Sequence, residues 1–462
     1  MALCGSPIAV RFKRLARADR IRRQFTVAAL TAAIGLIVWA FVWGRRLQHR
    51  SPEIKLGAAP FVGRDEHDGW DWRVHWQILI PVAIAWVVIA VAPTVIHRWR
   101  LRWIAVSTGL TAGGFAVGLA ALDGTDGLFH GATDKTEYYA NLSRTPPWHE
   151  FIDTFVQRLP QYSVHVRGHP PGFTLVLKAI NGAGIHGAWP VVALSIVGVV
   201  TTPIFVLIAV HRLAGATWAR RAAPFLVLVP YAIWQITSAD AFYTAVMAAG
   251  VAALAVGLTA SPRPAVVASL AAGLLLGASL FLTYGTVTFL ILPVTVIGSR
   301  WRRWRRAILV AVLAAASAAS VIVIFRLLGF WWFEGLEALR KQYWAGTAKF
   351  RTWTYFALSN IAVLLIAVGP ATLTGLIRLR RAALWPLVGG TLIAIAASEI
   401  SQYSKGEVER IWLPFFPWLM LAAATLTSDT RPTRGLLTST RCWLAAQGAL
   451  AIALQSALVS KW

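Results

Sequence analysis

The sequence predicts an all-α fold, a polytopic bundle of transmembrane helices with a large polar loop on its outer side. Three observations predict it. Of 462 residues, 57% are hydrophobic and only 14% charged, whereas a soluble domain carries about 25% charged residues. Apolar runs near the length of a bilayer crossing recur along the chain, without the short alternating strands of a transmembrane barrel. The basic residues gather in short connections between those runs: RFKRLARADRIRR, HRWRLR, RWRRWRR and RLRR. That placement is the positive-inside pattern, so the net charge of +25 reflects insertion and anionic lipid rather than a nucleic-acid partner.

Taken in order, about thirteen spans are expected, at 24–43, 77–96, 103–122, 189–210, 222–238, 241–259, 265–283, 286–298, 307–329, 355–377, 384–400, 411–427 and 442–459. The first follows seven Lys/Arg and is not succeeded by a small-residue cleavage site, so it reads as an anchor. The run at 286–298 is short and fits a tilted or partly re-entrant segment. With the N-terminus placed in the cytoplasm of a plasma-membrane protein, the inner connections hold 25 of the 44 Lys/Arg, and 17 of the 19 Asp/Glu fall outside. Cys4 and Cys442 both lie on the inner side and suggest no disulfide. The 23 Trp suit interfacial belts. The chain reads as one membrane domain over 1–462, with the long outer loop at 123–188 inside it.

The outer connections differ in content. Residues 44–76 contain GRDEHDGWDW, and 330–354 read as an amphipathic helix lying on the membrane. Within the long loop, 148–159 (WHEFIDTFVQRL) has apolar residues at helical spacing. The stretch from Asp123 to Lys178 carries six carboxylates, and no bilayer crossing requires them. Asp134 and Glu137 are three apart in DKTEYYANL and share a face if that segment is helical. Two outward acids suit a general base or a cation site. Equally, they suit a solvated helix start, with Thr133 as N-cap and acids favoured in the first turn. Asp123 and Asp126 follow a span and serve as further base candidates or as interfacial caps.

His169-Pro170-Pro171-Gly172 follows Arg167-Gly168, and Pro171 fits the first turn of a helix FTLVLKAI that contains Lys178. A helix N-terminus with Arg167 and His169 beside it can cradle a phosphate. It can also be only a rigid turn back into the membrane. Lys405, Glu407, Glu409 and Arg410 form a charged group ahead of IWLPFFPWLM. There Arg410 can bind a lipid phosphate or pair with an outer carboxylate, or the group can be an ordinary interfacial ion-pair cluster. Arg340 and Lys341 on the amphipathic segment are similar. Asp240 begins a span and Tyr284 ends one, both on the outer side. Asn141-Leu142-Ser143 matches a glycosylation sequon. There is no Walker loop, no GxGxxG after a strand, no HExxH and no zinc-spaced Cys/His group.

These residues resemble the GT-C class of integral-membrane glycosyltransferases, which includes protein O-mannosyltransferases and lipid A aminoarabinose transferases. The resemblance rests on Glu137-Tyr138-Tyr139-Ala140, with Asp134 just before, and on His169-Pro170-Pro171-Gly172. The pieces SADAFY (238–243), LTYG (282–285) and SKGEVERIWLPF (404–415) are similar to an actinobacterial multi-span group placed near that class. It implies inverting transfer of a sugar from a polyprenyl-phosphate donor to a lipid, glycan or protein acceptor at the outer face. An outer-loop carboxylate would be the base (Asp134 and Glu137, then Asp126 and Asp123). Arg167, His169, Lys178, Lys405, Glu407, Arg410, Asp240 and Tyr284 would bind donor phosphate or substrate. No cofactor is implied with certainty, and a divalent cation is left open. The sequence departs from the class in two ways. Its loop follows the third span rather than the first, and Gly172 stands after Pro-Pro where Leu is frequent. The competing expectation is a transporter or flippase of a lipid-linked or small polar substrate. Such a protein should bury ionisable groups at mid-membrane in paired, broken helices.

Overall fold

The computed structural model describes residues 7–56, 71–236, 238–379, 383–427 and 434–458, with the side chains of 7–19 and 434–438 left aside. Among the described residues there is no strand. The expected GRDEHDGWDW stretch lies mostly outside them.

Eight helices are long and apolar enough to cross a membrane: Arg20–Arg50, Trp76–Arg98, Leu101–Thr133, Trp189–Ala214, Asp240–Thr259, Pro262–Leu280, Trp301–Leu327 and Trp353–Arg378. They mark a membrane protein by length and composition. Thr286–Gly298, Trp385–Ser401 and Phe416–Leu426 are shorter apolar helices. In chain order the helices are α1 (Pro7–Arg50), α2 (Leu79–Arg98), α3 (Leu101–Ala120), α4 (Gly124–Thr133), α5 (Tyr138–Asn141), α6 (Trp148–Asp153), α7 (Val164–Gly168), α8 (Gly172–Gly182), α9 (Trp189–Ala214) and α10 (Ala216–Ala222). They continue with α11 (Asp240–Thr259), α12 (Pro262–Leu280), α13 (Thr286–Phe289), α14 (Ile291–Gly298), α15 (Trp304–Leu327), α16 (Trp332–Ala345), α17 (Trp353–Arg378), α18 (Trp385–Ser401), α19 (Val408–Ile411), α20 (Phe416–Leu419) and α21 (Arg434–Ala457). Several long helices open on Trp, and α9, α12 and α18 carry Pro in the first turn. The amphipathic indole belongs at a membrane interface, and Pro costs nothing where an N–H has no helical partner.

The expected spans at 222–238 and 411–427 are not continuous helices, and the one at 286–298 is divided at Leu290 into α13 and α14. Residues 222–236 pass through two short 3₁₀ turns, Ala223–Leu226 and Pro230–Trp234. Residues 408–427 break into α19, α20 and the 3₁₀ turn Met420–Leu426. Pro224, Pro230, Pro414 and Pro417 remove backbone donors and deflect the chain. Both segments are almost wholly buried and meet each other, with the Tyr231 and Phe416 rings 5.5 Å apart. Irregular backbone at membrane depth is tolerated where protein rather than lipid surrounds it. Helix α17 is broken as well, at Gly369 (φ 70°, ψ 175°), just ahead of Pro370. Gln447 of α21 repairs the break. Its Nε2 donates to Val368 O (2.9 Å), and the Ala371 N–H donates to its Oε1 (3.3 Å).

Close helix approach depends on small residues. A Cβ at Gly109 would lie 2.3 Å from Val200 O, and one at Gly198 would lie 2.4 Å from Ala241 O. Thus α3, α9 and α11 pack backbone to backbone. The bundle has two chemically distinct ends. At one, Arg220 donates to Ile96 O, Arg300 to Leu213 O and Arg306 to Gly257 O. These bonds gather the basic connections predicted to lie together. At the other end lie the long loop, the start of α11, α16 and the 401–410 loop.

The long loop is folded rather than extended. It carries α5 to α8, but α6 covers only part of the helix expected over 148–159 and continues as turns. Helix α16 matches the expected amphipathic segment. Its Arg340 pairs with Glu337 at 2.7 Å on the surface.

Candidate functional site

Asp134 and Glu137 do not share a helical face. Helix α4 ends at Thr133, whose hydroxyl donates back to Phe129 O, so Thr133 is not an N-cap. Asp134 begins a tight turn in which its Oδ1 accepts the N–H and hydroxyl of Thr136. Burial works against its charge, but the Thr136 bonds outweigh it and hold the carboxyl below the usual range. Glu137 follows in extended conformation at the N-cap of α5. Asn141 fixes this turn by donating to Lys135 O (2.8 Å) and Glu137 O (2.9 Å). Its amide is therefore a buried brace rather than an exposed sequon. The His165 N–H donates to Thr136 O (3.2 Å), joining α7 to the same turn.

The RGHPPG turn is placed by its glycine. The Gly172 N–H donates to Phe281 O (2.8 Å), and a Cβ there would lie 2.3 Å from that oxygen. A Leu at this position would push α8 off the end of α12. Asp240 is positioned by α9. Ser195 Oγ donates to Ser238 O (2.9 Å), and Gly198 admits the backbone at Ala241. The carboxylate then sits in the first turn of α11, where the helix dipole favours it.

Arg410, on α19, connects these pieces. Its Nη1 donates to Glu137 Oε1 (3.3 Å) and its Nε to Asp240 Oδ2 (3.1 Å). All three side chains are buried. His165 Nε2 lies 3.3 Å from the same Glu137 oxygen. The Tyr243 hydroxyl donates to that of Tyr138 (3.1 Å), and the ring centroid of Tyr138 lies 5.8 Å from that of His169. His169 Nδ1 lies 3.0 Å from His165 O, an acceptor only, so Nδ1 carries the proton.

The electrostatics follow from this burial. Desolvation pushes Glu137 up to about 7, with Arg410 opposing and Asp240 adding to the rise. Burial, together with Arg410, drives His165 well below the ordinary histidine value. His169 is lowered by burial against the opposing pull of Asp240. Both imidazoles are therefore neutral near pH 7, and His165 meets Glu137 as an uncharged neighbour. Burial also raises the Tyr138 phenol far above its usual range, so it serves as a neutral hydroxyl.

The charged group expected at 405–410 is divided among three places. Only Arg410 enters the cluster, although Glu409 beside it is fully buried. Glu407, with φ 62°, faces Arg351 at 3.4 Å. Arg351 in turn donates to Lys55 O (2.7 Å) and Lys405 O and so pins the loop. Lys405 is 7% exposed, with Nζ 4.5 Å from the Trp344 ring centroid. Burial lowers its pKa. Tyr284 packs on Trp332 (5.4 Å), away from the Arg410 bonds. Lys178 donates to Thr145 O (3.3 Å) and lies over Phe151, its pKa lowered by burial. Arg167 is half-buried with no ion pair among the described residues. Asp123 binds Arg73 and accepts from Gln455 Nε2 (3.2 Å), which clasps residues 71–73 to the end of α21. Asp126 is exposed.

Of the residues the sequence singled out, Glu137, His169, Asp240 and Arg410 come together. His165 and Tyr243 join them without having been singled out. The i, i+4 spacing of His165 and His169 was the available signal. Among the described residues no group of three His, Cys, Asp or Glu is arranged to hold a metal ion. Comparison with protein-family models, curated proteins and solved structures gives no match.

Proposed function

We propose that the chain is a membrane-embedded glycosyltransferase of GT-C character, moving a sugar from a polyprenyl-phosphate donor to a lipid, glycan or protein acceptor. The site end would face the outside and the basic end the cytoplasm. The observation that carries this reading is the buried convergence of Glu137, His165, His169, Asp240 and Arg410 from four separate parts of the chain. In this reading Glu137 is the general base. Removing the acceptor hydroxyl proton needs a group that titrates near the working pH, and Glu137 does so. Asp134 is less suited because Thr136 occupies its Oδ1 and holds it ionised. Arg410 positions Glu137 and Asp240. Arg167 on the adjacent turn is the cation best placed to meet a donor phosphate.

One observation favours transport: the chain is broken at 222–236, at Gly369 and at 412–427. Those stretches contain no Asp, Glu, Lys, Arg or His, and Gln447 satisfies the freed backbone at Gly369. A transporter that holds its substrate or coupling ion on ionisable side chains would need them at that depth.

The test is sugar transfer by purified protein from a panel of polyprenyl-phosphate-linked hexoses and pentoses. Glu137→Gln is expected to lower turnover by about 10² to 10⁴, and Asp134→Asn to retain it within about tenfold. Wild-type turnover in Glu137→Gln would refute the assignment. Uptake of the same donors by sealed vesicles without transfer would favour transport.

A further inference from the structure

The RGHPPG turn does not offer His169 as a donor to phosphate. The Nδ1–H is committed to His165 O (3.0 Å), and burial keeps the ring neutral near pH 7. Nε2 therefore carries a lone pair and no proton. Among the described residues nothing donates to that lone pair, and His169 is only half-buried, so Nε2 is not sealed off. Two acceptors repel each other, so a phosphate oxygen is a poor partner for it. A hydroxyl is a good one.

An unmatched donor lies beside this acceptor. The hydroxyls of Tyr138 and Tyr243 share one hydrogen bond (3.1 Å). Whichever phenol donates, the proton of the other has no acceptor among the described residues. These side chains are 2% and 1% exposed, so an unmatched proton there is costly unless a bound molecule takes it. Both rings pack on His169, with centroids 5.8 and 6.0 Å from its own. A neutral acceptor next to a neutral donor suits a hydroxyl, which gives one proton and accepts another. That hydroxyl is not the reacting one. The reacting hydroxyl gives its only proton to Glu137, and one proton cannot serve both Glu137 and His169. His165 links the two groups. Its Nε2 is 3.3 Å from Glu137 Oε1, and its ring lies 6.3 Å from that of His169 at 24°. One small molecule can reach both. Resting on the transferase reading above, we infer that the acceptor is a carbohydrate, whose second hydroxyl is held by His169 Nε2 and the Tyr138–Tyr243 pair, and not the lone hydroxyl of a Ser or Thr side chain.

Binding is read first, without transfer. Full-length protein in nanodiscs carries nitrogen-labelled histidine, and the His169 ring is followed by NMR at about pH 7. Its signals are identified by their loss in His169→Gln. Nδ1 should be protonated and Nε2 bare. At least one of a panel of methyl hexosides and pentosides should shift the Nε2 signal, and inorganic phosphate and a Ser/Thr peptide should not. A proton on Nε2, in the free protein or with phosphate, would overturn the inference, as would a shift with the peptide or a panel without effect. Kinetics follow, with the glycoside that shifts Nε2 as acceptor. His169→Phe keeps a packed ring without the lone pair. It should raise the acceptor KM about tenfold, the worth of one neutral hydrogen bond, and leave the donor KM unchanged. A deoxy glycoside lacking the second hydroxyl should lose about the same factor in wild type and nothing more in His169→Phe. A raised donor KM instead would place His169 on the phosphate and refute the assignment. If the wild type transfers sugar to no acceptor, the transferase reading fails, and the ring spectrum still decides whether His169 takes a sugar hydroxyl.

Discussion

Replacing Arg410 by Met tests the central cluster most directly. Met keeps much of the side chain's volume but removes the group that bridges Glu137 and Asp240. The two carboxylates have side-chain exposures of only 6% and 13%, so water cannot take over the role of the guanidinium. Removing one partner of a buried ion pair costs about 3–5 kcal/mol, mainly through the uncompensated charge left behind. Arg410→Met should lower unfolding stability by that amount in mixed micelles at about pH 8. The loss should depend on pH. Glu137 titrates near 7 in the fold against 4.5 in the unfolded chain. Between those values the folded state holds a proton that the unfolded state lacks. The contribution of the neutral carboxyl is thus complete below 4.5 and is lost as the pH rises through about 7. Without Arg410 the charged form is disfavoured further, so the defect should deepen as pH rises and shrink toward about pH 5. Adding Asp240→Asn to Arg410→Met should restore part of the loss, with a coupling of about 0.5–3 kcal/mol. A loss under about 0.5 kcal/mol at high pH, or no recovery in the double variant, would refute a buried charge bridge.

Three further outcomes are expected. If ionised Glu137 is the base, the transfer rate should rise with pH along a limb centred near 7, and a flat profile across that range would count against it. Gln447→Leu leaves Val368 O and the Ala371 N–H without their partner at the α17 break. It should cost about 1–3 kcal/mol, and an unchanged unfolding midpoint would show the cap to be dispensable. A cysteine replacing the exposed Gln161 should react with an impermeant reagent on intact cells, and reaction only after inner-face exposure would invert the proposed orientation.

Much of this architecture was legible because it depends on local, additive quantities. Runs of apolar residues show which segments can enter a bilayer. Charged connections sort into two sets along the chain, and the structure gathers the basic set at one end through bonds such as Arg220 to Ile96 O. Glu137, His169, Asp240 and Arg410 stood out because ionisable groups beside apolar spans are costly unless used.

The sequence misled where hydropathy was taken to mean helix. Residues 222–236 and 411–427 are as apolar as the segments that form long continuous helices. Their prolines and their burial against each other make them irregular, and burial in protein is invisible in a single segment. It misled again at Asp134 and Glu137. Spacing put them on one face, but the Thr136 turn separates an ionised surface carboxylate from a buried one.

By itself, then, the sequence determined a membrane-embedded helical protein with a basic and an acidic end, because transfer free energy and charge placement are properties of each segment alone. Only the tertiary structure decided the pairing of Arg410 with Glu137, 273 residues away, and with Asp240, 170 residues away. Partner choice across such separations depends on the path of the chain. That path is set by helix contacts such as Gly198 on Ala241 and Gly172 on Phe281, where the absence of a side chain is what matters.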